Sequence, residues 1–600
     1  VALAAVLYLL NLTVSGFANT YYSMAAQAAS LDWSAWFFGS LDPANFITVD
    51  KPPLATMVTG LSVRIFGLSP WSILLPQALA GVATVALLYV IVRRQFGPAA
   101  ATIAGVVAAL TPAAVLIFRY NNPDAILTLL LVAAAWAFFR GLEDGRLRWL
   151  AVSALLVGLA FNTKFLQAYL VLPALALTYF VAGPGSVQRR VAHLVVALGM
   201  VVLISGWWVA ALEVIPAANR PFIGGSSTNS AFELAFGSLG LDRIAGSVGP
   251  EGRFGGTPGI GRMFNSRFGV QTGWLLPVAF LGLLVGLIAH RRVARTDRRR
   301  AAFIFWGAWL AVHVLVFSFM SGKVHSYVAV AMAPAIGALV GGGIVTLWAQ
   351  SRRGDRRGLV ARLVLAAAVA GSALLAAFLL ARTPGFFPWL GPGVVAAGLL
   401  AGLAIALPAT ALEAGRFGRQ LAPRVTIADA AITALAAVAL LAGPTAYAIE
   451  TMRTAYTGTD PQAGPLVISP DAPSLAISGE VMSFLVANRG TATWIVAVLA
   501  ARDGEQIQLA TGGPVMAIGG FSGNDNTLSV AELESYVLEG RLRYVLLIDG
   551  AEPTPITAWA TEHAPVAMDV SNGATVYDLA QMLTLRGVTG SVPGGTTPGP

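Results

Sequence analysis

The chain has 600 residues, of which 56% are hydrophobic and 11% charged, with a formal net charge of +9. Soluble proteins carry about 25% charged residues, so most of this surface must face lipid, which excludes a cytoplasmic enzyme and a nucleic-acid partner. The absence of cysteine excludes disulfides, thiolate metal sites and thiol nucleophiles.

The charge divides the chain. Residues 1–450 hold 32 basic and 15 acidic side chains, and residues 451–600 hold 6 and 14. This predicts a polytopic membrane domain over 1–450, an acidic extracytoplasmic domain over 451–586, and a disordered Gly/Pro/Thr-rich tail over 587–600. The sequence opens inside an apolar run at Val1, and a basic leader is expected before it. Spanning helices need about 20 apolar residues. Thirteen are expected, at 1–17, 72–92, 99–117, 125–139, 149–163, 165–182, 192–212, 273–290, 303–320, 326–348, 360–381, 391–412 and 426–446.

Alternate loops carry the arginines: Arg93–Arg94, Arg140/Arg146/Arg148, Arg189–Arg190, Arg291 to Arg300, Arg352 to Arg362, and Arg416/Arg419/Arg424. Six loops on one side satisfy the positive-inside rule and make that side cytoplasmic. Loops 18–71 and 213–272 and the acidic domain then lie outside. Lysine is scarce: Lys51, Lys164 and Lys323 are the only three, against 35 arginines. All three fall at outer helix ends, where ammonium groups suit a shared phosphate site.

In chain order, the first outer loop holds Asn19, Tyr22 and Asp32, then Asp50-Lys51-Pro52-Pro53 before an apolar stretch expected to lie along the membrane surface. Asp50 suits a base, a metal ligand or an acceptor-orienting group; a capping Asp neutralised by its neighbour is the alternative. The second outer turn is Arg119-Tyr120-Asn121-Asn122-Pro123-Asp124. Asp124 suits proton work or N-capping, and Arg119 a lipid or substrate phosphate. Lys164, in Asn162-Thr163-Lys164, is held near the apolar zone and needs an anionic partner. Loop 213–272, with Arg220, Arg243, Arg253, Arg262 and Arg267 among glycines, fits a basic flap over an anionic substrate or a plain flexible loop. It lacks the Gly-Lys-Ser/Thr of a nucleotide P-loop. Trp207–Trp208 fit an interfacial belt. Lys323, His325 and Tyr327 share a third outer turn.

In the acidic domain, Thr493–Leu499 and Arg541–Ile548 predict buried strands, and Ser529 with Glu532 a capping box. A small α/β domain with a mainly parallel sheet is expected. The strand entering the glycine-rich stretch 514–526 marks a ligand or partner site, or the domain is a scaffold.

These motifs resemble the GT-C superfamily of polytopic glycosyltransferases, in the branch of the protein O-mannosyltransferases and the lipid A aminoarabinose transferase. Among these the chain resembles the bacterial mannosyltransferases with a C-terminal extracytoplasmic domain. Asp50-Lys51-Pro52-Pro53, Arg119–Asp124, Asn162-Thr163-Lys164 and Lys323–Tyr327 carry the likeness. It implies a mainly helical membrane fold, a polyprenyl-monophosphate sugar donor, and inverting transfer to a cell-envelope glycan, lipid or protein acceptor at the bacterial plasma membrane. Many relatives have an acid where this chain has Ala18-Asn19. The base then falls to Asp50, Asp124 or Asp32 in that order, with Asn19, Tyr22, Asn121, Asn122, His325 and Tyr327 orienting substrate. Lys51, Lys164, Arg119, Arg220 and Lys323 are expected on the donor phosphate. A divalent cation is compatible with this set. A flippase for lipid-linked sugar is the alternative, though transporters concentrate polar groups at the bilayer midplane.

Overall fold

The computed structural model describes residues 1–246, 254–407, 427–465, 477–549, 554–570 and 573–585. Arg253, the Arg416/Arg419/Arg424 group, the end of the expected 391–412 span and the tail 587–600 lie outside the described residues.

Among the described residues, nine helices are long and apolar enough to cross a membrane, or ten if the bent pair Ala2–Ser15 and Thr20–Leu31 is one span. The protein is a multi-pass membrane protein. Every expected apolar run has a helical counterpart, but several are short or broken. The first run ends at Leu9 and turns through Asn11, whose backbone is left-handed (φ 55°), before a helix bent by 91°. The run 99–117 breaks where Pro112 cannot donate to the preceding turn, giving Pro98–Leu110 and Pro112–Ile117. Leu147–Ala182 is a single apolar segment by composition, yet its two ends meet. Arg189 Nη2 donates to the Gly145 carbonyl at 3.3 Å, so the chain turns back at Lys164, as the sequence pattern requires.

Four of the long helices start where the sequence supplies an oxygen acceptor. Ser69 forms a capping box with Ser72 ahead of Pro70–Phe96, while Ser186, Asp297 and Asp355 cap Val187–Val214, Arg298–Phe319 and Arg356–Leu380. Each accepts an otherwise orphaned amide of the first turn. Four of the arginine-rich loops, those around Arg94, Arg146, Arg189 and Arg295, meet at one end of the bundle. Glu143 bridges Arg94 at 2.7 Å and Arg298 at 3.4 Å, and Arg295 Nη1 donates to the Gly183 carbonyl at 2.6 Å.

The helical segment Ser326–Ser351 is the most enclosed, with 89% of its apolar window buried. Small residues allow that: a Cβ on Gly343 would stand 2.4 Å from the Gly282 Cα, and one on Gly341 2.3 Å from the Ala100 carbonyl oxygen. Without a hydrophobic drive between helices in lipid, such close backbone packing is a main source of association.

The C-terminal part carries five strands, β1 (Val496–Val498), β2 (Val515–Ala517), β3 (Tyr544–Ile548), β4 (Val566–Val570) and β5 (Ala574–Asp578), in the order β2-β1-β3-β5-β4. β1 pairs in parallel with β2 and β3, but β5 runs antiparallel to both β3 and β4. The sheet is therefore mixed rather than mainly parallel. The β4 run, Val-Ala-Met-Asp-Val, is largely exposed, as suits an antiparallel edge strand rather than a buried parallel one. The Ser529–Glu532 capping box is present.

This sheet does not hang free. One core cluster joins Val496, Val545 and Val576 to Tyr21, Met24, Leu41 and Ile47 of the first outer loop. Trp494 Nε1 donates to Asp42 at 3.1 Å, and Gln508 Nε2 to the Leu41 carbonyl at 2.9 Å. The segment 451–465 packs on the membrane helices: the Tyr456 amide donates to Ser15 Oγ at 3.0 Å, and Ala463 to Gln271 Oε1 at 3.3 Å. Loop 18–71 is also paired with loop 213–272, through Thr48 N–H to the Phe222 carbonyl (2.9 Å) and Phe222 N–H to the Phe46 carbonyl (3.0 Å).

Candidate functional site

One cleft holds all three lysines. Lys51, Lys164 and Lys323 line it together with Arg243 and Gln167, against apolar walls that include Leu166, Leu170, Val316, Phe317 and Val328. Its free space, counted out to the solvent at its mouth, is about 630 Å³.

Each element delivers its side chain for a local reason. Pro52 and Pro53 follow Lys51, and the helix Leu54–Phe66 starts directly after them, which fixes the backbone at Asp50-Lys51. Lys51 Nζ lies 2.6 Å from Asp50 Oδ2, with side-chain exposures of 10% and 22%. The Asp50 amide donates to the Tyr21 hydroxyl at 3.2 Å. Burial opposes ionisation of Asp50, but Lys51, reinforced by Arg243 and Lys323, holds its carboxyl below the usual range. Burial lowers Lys51 to about 8, with Asp50 resisting and Arg243 adding to the fall.

Lys164 ends the helix Leu147–Lys164, and the next residue, Phe165, has φ 41° and ψ −130°. An aromatic residue there costs about 1–3 kcal/mol, and the strained turn sends the chain back while leaving the ammonium in the cleft. Lys164 pairs with Asp124, which is fully buried and opens the helix Asp124–Asp144. Gln167 Nε2 donates to the other Asp124 oxygen at 2.9 Å, and Asn122 Oδ1 accepts from the Asp124 amide at 3.0 Å. Lys164 also lies 5.1 Å from the Tyr327 ring centre. The Tyr327 ring stacks on His325 at 5.1 Å, and Phe254 stacks on His325 at 5.0 Å. Lys323 sits over Phe254 at 4.9 Å.

The structure thus brings Asp50, Lys51, Asp124, Lys164, Lys323, His325 and Tyr327 together, with Asn122 and Tyr22 beside them. Other sequence candidates lie elsewhere. Arg119, expected on a phosphate, donates instead to the carbonyls of Leu7 (3.0 Å), Tyr8 (3.3 Å) and Leu10 (2.7 Å) and to that of Asn11. It closes the end of the first helix and does not line the cleft. Arg220 braces its own loop through Asn229, at 2.6 Å to Oδ1 and 2.7 Å to the carbonyl. Asp32 caps Trp33–Phe38 and accepts from Asn45 at 3.0 Å. Asn19 and Asn121 clamp each other: Asn19 N–H donates to Asn121 Oδ1, and Asn121 Nδ2 to the Asn19 carbonyl, both at 2.8 Å. That pair registers the first outer loop against the second turn.

Asp460 escapes the sequence reading, and Arg243 enters it only as one of five arginines in the expected basic flap. Arg243 lines the cleft on the short helix Asp242–Ala245, and its Nη1 donates to the Lys323 carbonyl at 3.5 Å. Nothing distinguishes it in sequence from the other loop arginines. Asp460, beyond the charge boundary, accepts from His325 Nδ1 at 2.9 Å and faces Arg267 at 3.4 Å. Among the described residues no group of three or more His, Asp and Glu side chains is placed to hold a metal ion. Both carboxylates nearest the cleft, Asp50 and Asp124, are already paired with lysines.

Comparison with known proteins identifies the family. Residues 50–209, which begin at Asp50, match the family "Dolichyl-phosphate-mannose-protein mannosyltransferase". Residues 481–563 match "Putative mannosyltransferase YkcB-like, C-terminal". Two proteins of Bacillus subtilis (strain 168) are similar over nearly the full chain. "Putative mannosyltransferase YkcB" is 30% identical, covering 90% of this chain and 87% of that one. "Putative mannosyltransferase YycA" is 30% identical with 88% of each covered. The crystal structure of ArnT from Cupriavidus metallidurans shares the fold in its apo state, with a TM-score of 0.54 at 18% identity and 97% of both chains covered. The same protein bound to undecaprenyl phosphate gives 0.52 at 17% identity, again covering 97% of both chains. The chain belongs to the YkcB-like mannosyltransferase family, and is a membrane glycosyltransferase with the GT-C fold.

Proposed function

We propose that this cleft is the donor site of an inverting enzyme that moves a mannose-like sugar from a polyprenyl monophosphate to an acceptor hydroxyl of the cell envelope. The gathering of all three lysines and Arg243 in one otherwise apolar cleft carries this reading. Cations there meet the phosphate, while the apolar walls take the first units of the lipid. The fold neighbour solved with undecaprenyl phosphate supports the same ligand class.

In the reaction, the acceptor oxygen attacks the anomeric carbon opposite the phosphate. The carbon–oxygen bond to phosphate breaks, its electron pair leaves with the phosphate, and the acceptor proton passes to a carboxylate. Asp50 is the base: it is partly exposed beside the cleft and held ionised. Asp124 is fully buried, with one oxygen on Lys164 and the other on Gln167, so it positions Lys164. Lys51, Lys164, Lys323 and Arg243 stabilise the charge released on phosphate. Each preorganised donor of this kind is worth about 2.7–4 kcal/mol in a dry site.

The cleft faces outward. Lys164 and Arg146 sit at opposite ends of an 18-residue helix, roughly 27 Å apart at 1.5 Å per residue, and four of the arginine loops meet at the Arg146 end. Under the positive-inside rule that end is cytoplasmic, which supports an active site on the outer side of the bacterial plasma membrane.

Purified protein in nanodiscs, given radiolabelled polyprenyl-phosphate mannose and a crude envelope acceptor, should release sugar from the lipid, and Lys164→Ala should abolish the release. Movement of the intact lipid across a bilayer without sugar release would overturn the proposal in favour of a flippase.

A further inference from the structure

The sheet of the C-terminal part carries a second cleft, distinct from the donor cleft. β1 lies between β2 and β3 in the sheet. The chain goes from β1 through the helix Ala501–Thr511 to β2, then crosses back through Val530–Leu538 to β3 on the other side of β1. Connections that leave a strand in opposite directions open a crevice at the carboxyl ends of parallel strands, where α/β folds take ligands. A cleft of about 860 Å³, open to solvent, occupies that place, between Leu499 after β1, Asp549 after β3 and Asn524 after β2.

Its chemistry selects the ligand. Among the described residues the charged groups on its wall are Arg502, Asp503 and Asp549, and Arg502 stands 3.7 Å from Asp503. One cation partly neutralised by its neighbour, facing a second carboxylate, disfavours phosphates and nucleotides. Carboxylates accept hydroxyl protons, Asn524 both donates and accepts, and Tyr577 offers a ring face with a polar tip. This set suits a neutral polyhydroxylated ligand. At about 860 Å³ the space lies in the upper part of the roughly 300–1,000 Å³ of ordinary small-molecule pockets, which leaves room for more than one sugar ring.

The same loop that walls this cleft reaches the catalytic residues. Phe521 packs edge-on to Tyr21 at 4.8 Å, and Tyr21 holds the Asp50 amide. Asp525 Oδ2 accepts from the Gly225 amide at 2.8 Å. A Cβ on Gly225 would lie 3.1 Å from the Asp50 Cβ, so the chain passes directly over Asp50.

We propose that the switch-point cleft of the C-terminal sheet binds a neutral glycan and holds it as the acceptor for the neighbouring transfer site. The acceptor role rests on the function proposed above; the binding does not. The test uses the full chain in nanodiscs, with maltoheptaose, mannan oligosaccharides and chitotetraose as neutral probes, and UDP and inorganic phosphate as anionic ones. Binding is read by saturation-transfer NMR and titration. At least one neutral oligosaccharide should bind, and Asn524→Trp and Asp549→Ala should each weaken it by about tenfold or more. Both residues are exposed, so folding is spared, and donor cleavage without acceptor should stay at the wild-type rate. With a glycan acceptor, Asn524→Trp should raise its KM and leave kcat unchanged. Failure of every neutral probe to bind, binding untouched by Asn524→Trp, or binding of the anionic probes alone would each overturn the inference. Oligosaccharide binding in a protein that transfers nothing would uphold this site and defeat the transferase reading.

Discussion

The pair Lys164–Asp124 allows stability and ligand binding to be separated. Lys164→Ala leaves the Asp124 carboxylate, fully buried beside a side chain only 11% exposed, without its ammonium. Breaking a buried pair from one side costs about 3–5 kcal/mol, so the variant should lose heat resistance in size-exclusion assays. It should also lose a charge-assisted contact to the donor phosphate, worth about 1.5–3 kcal/mol, or roughly 10- to 150-fold in Kd. The double variant Lys164→Met with Asp124→Asn removes both charges and keeps an amide oxygen for Gln167. It should recover most of the lost heat resistance while donor Kd stays weak. Polyprenyl phosphate binding to nanodisc-embedded protein measures the second quantity. If the double variant regains donor affinity, or if Lys164→Ala binds donor as the parent does, Lys164 acts only on packing and the phosphate assignment fails.

Three further outcomes are expected. Because Lys51 is lowered to about 8, its ammonium is present below that pH and lost above it. Donor affinity, measured over roughly pH 7 to 9.5, should therefore weaken at the alkaline end; Lys51→Arg, which keeps its charge there, should flatten the profile, and a flat parent profile refutes the role. Asp50→Asn should cut turnover by about 10²- to 10⁴-fold with donor binding retained; equal loss of binding would make Asp50 structural. Arg119→Ala strands the carbonyls of Leu7 and Leu10 and should destabilise the fold by about 1–3 kcal/mol, while the folded fraction keeps its donor Kd; selective loss of donor binding would return Arg119 to the site.

The amino-acid order alone determined the membrane class, the thirteen apolar runs, the concentration of arginines in alternate loops and the special standing of the three lysines. These are local or compositional properties: hydropathy over one helix length, charge per loop, scarcity of one residue type. It also marked the Asp50-Lys51 motif, with Asp50 neutralised by its neighbour as one reading, and the Lys164 turn, though not that Lys164 reaches across to Asp124. Tertiary structure decided which cations stay available for a ligand. Arg119 and Lys164 look alike as basic residues at outer helix ends, but Arg119 is consumed by carbonyls of the first helix, contacts more than a hundred positions away in the chain. Arg243 enters the cleft by the path of a loop whose glycines carry no directional signal, and Asp460 reaches His325 across 135 positions. The antiparallel course of β5 depends likewise on a partner strand, not on its own residues. A side chain's partners are fixed by the packing of distant segments, and no local pattern encodes them.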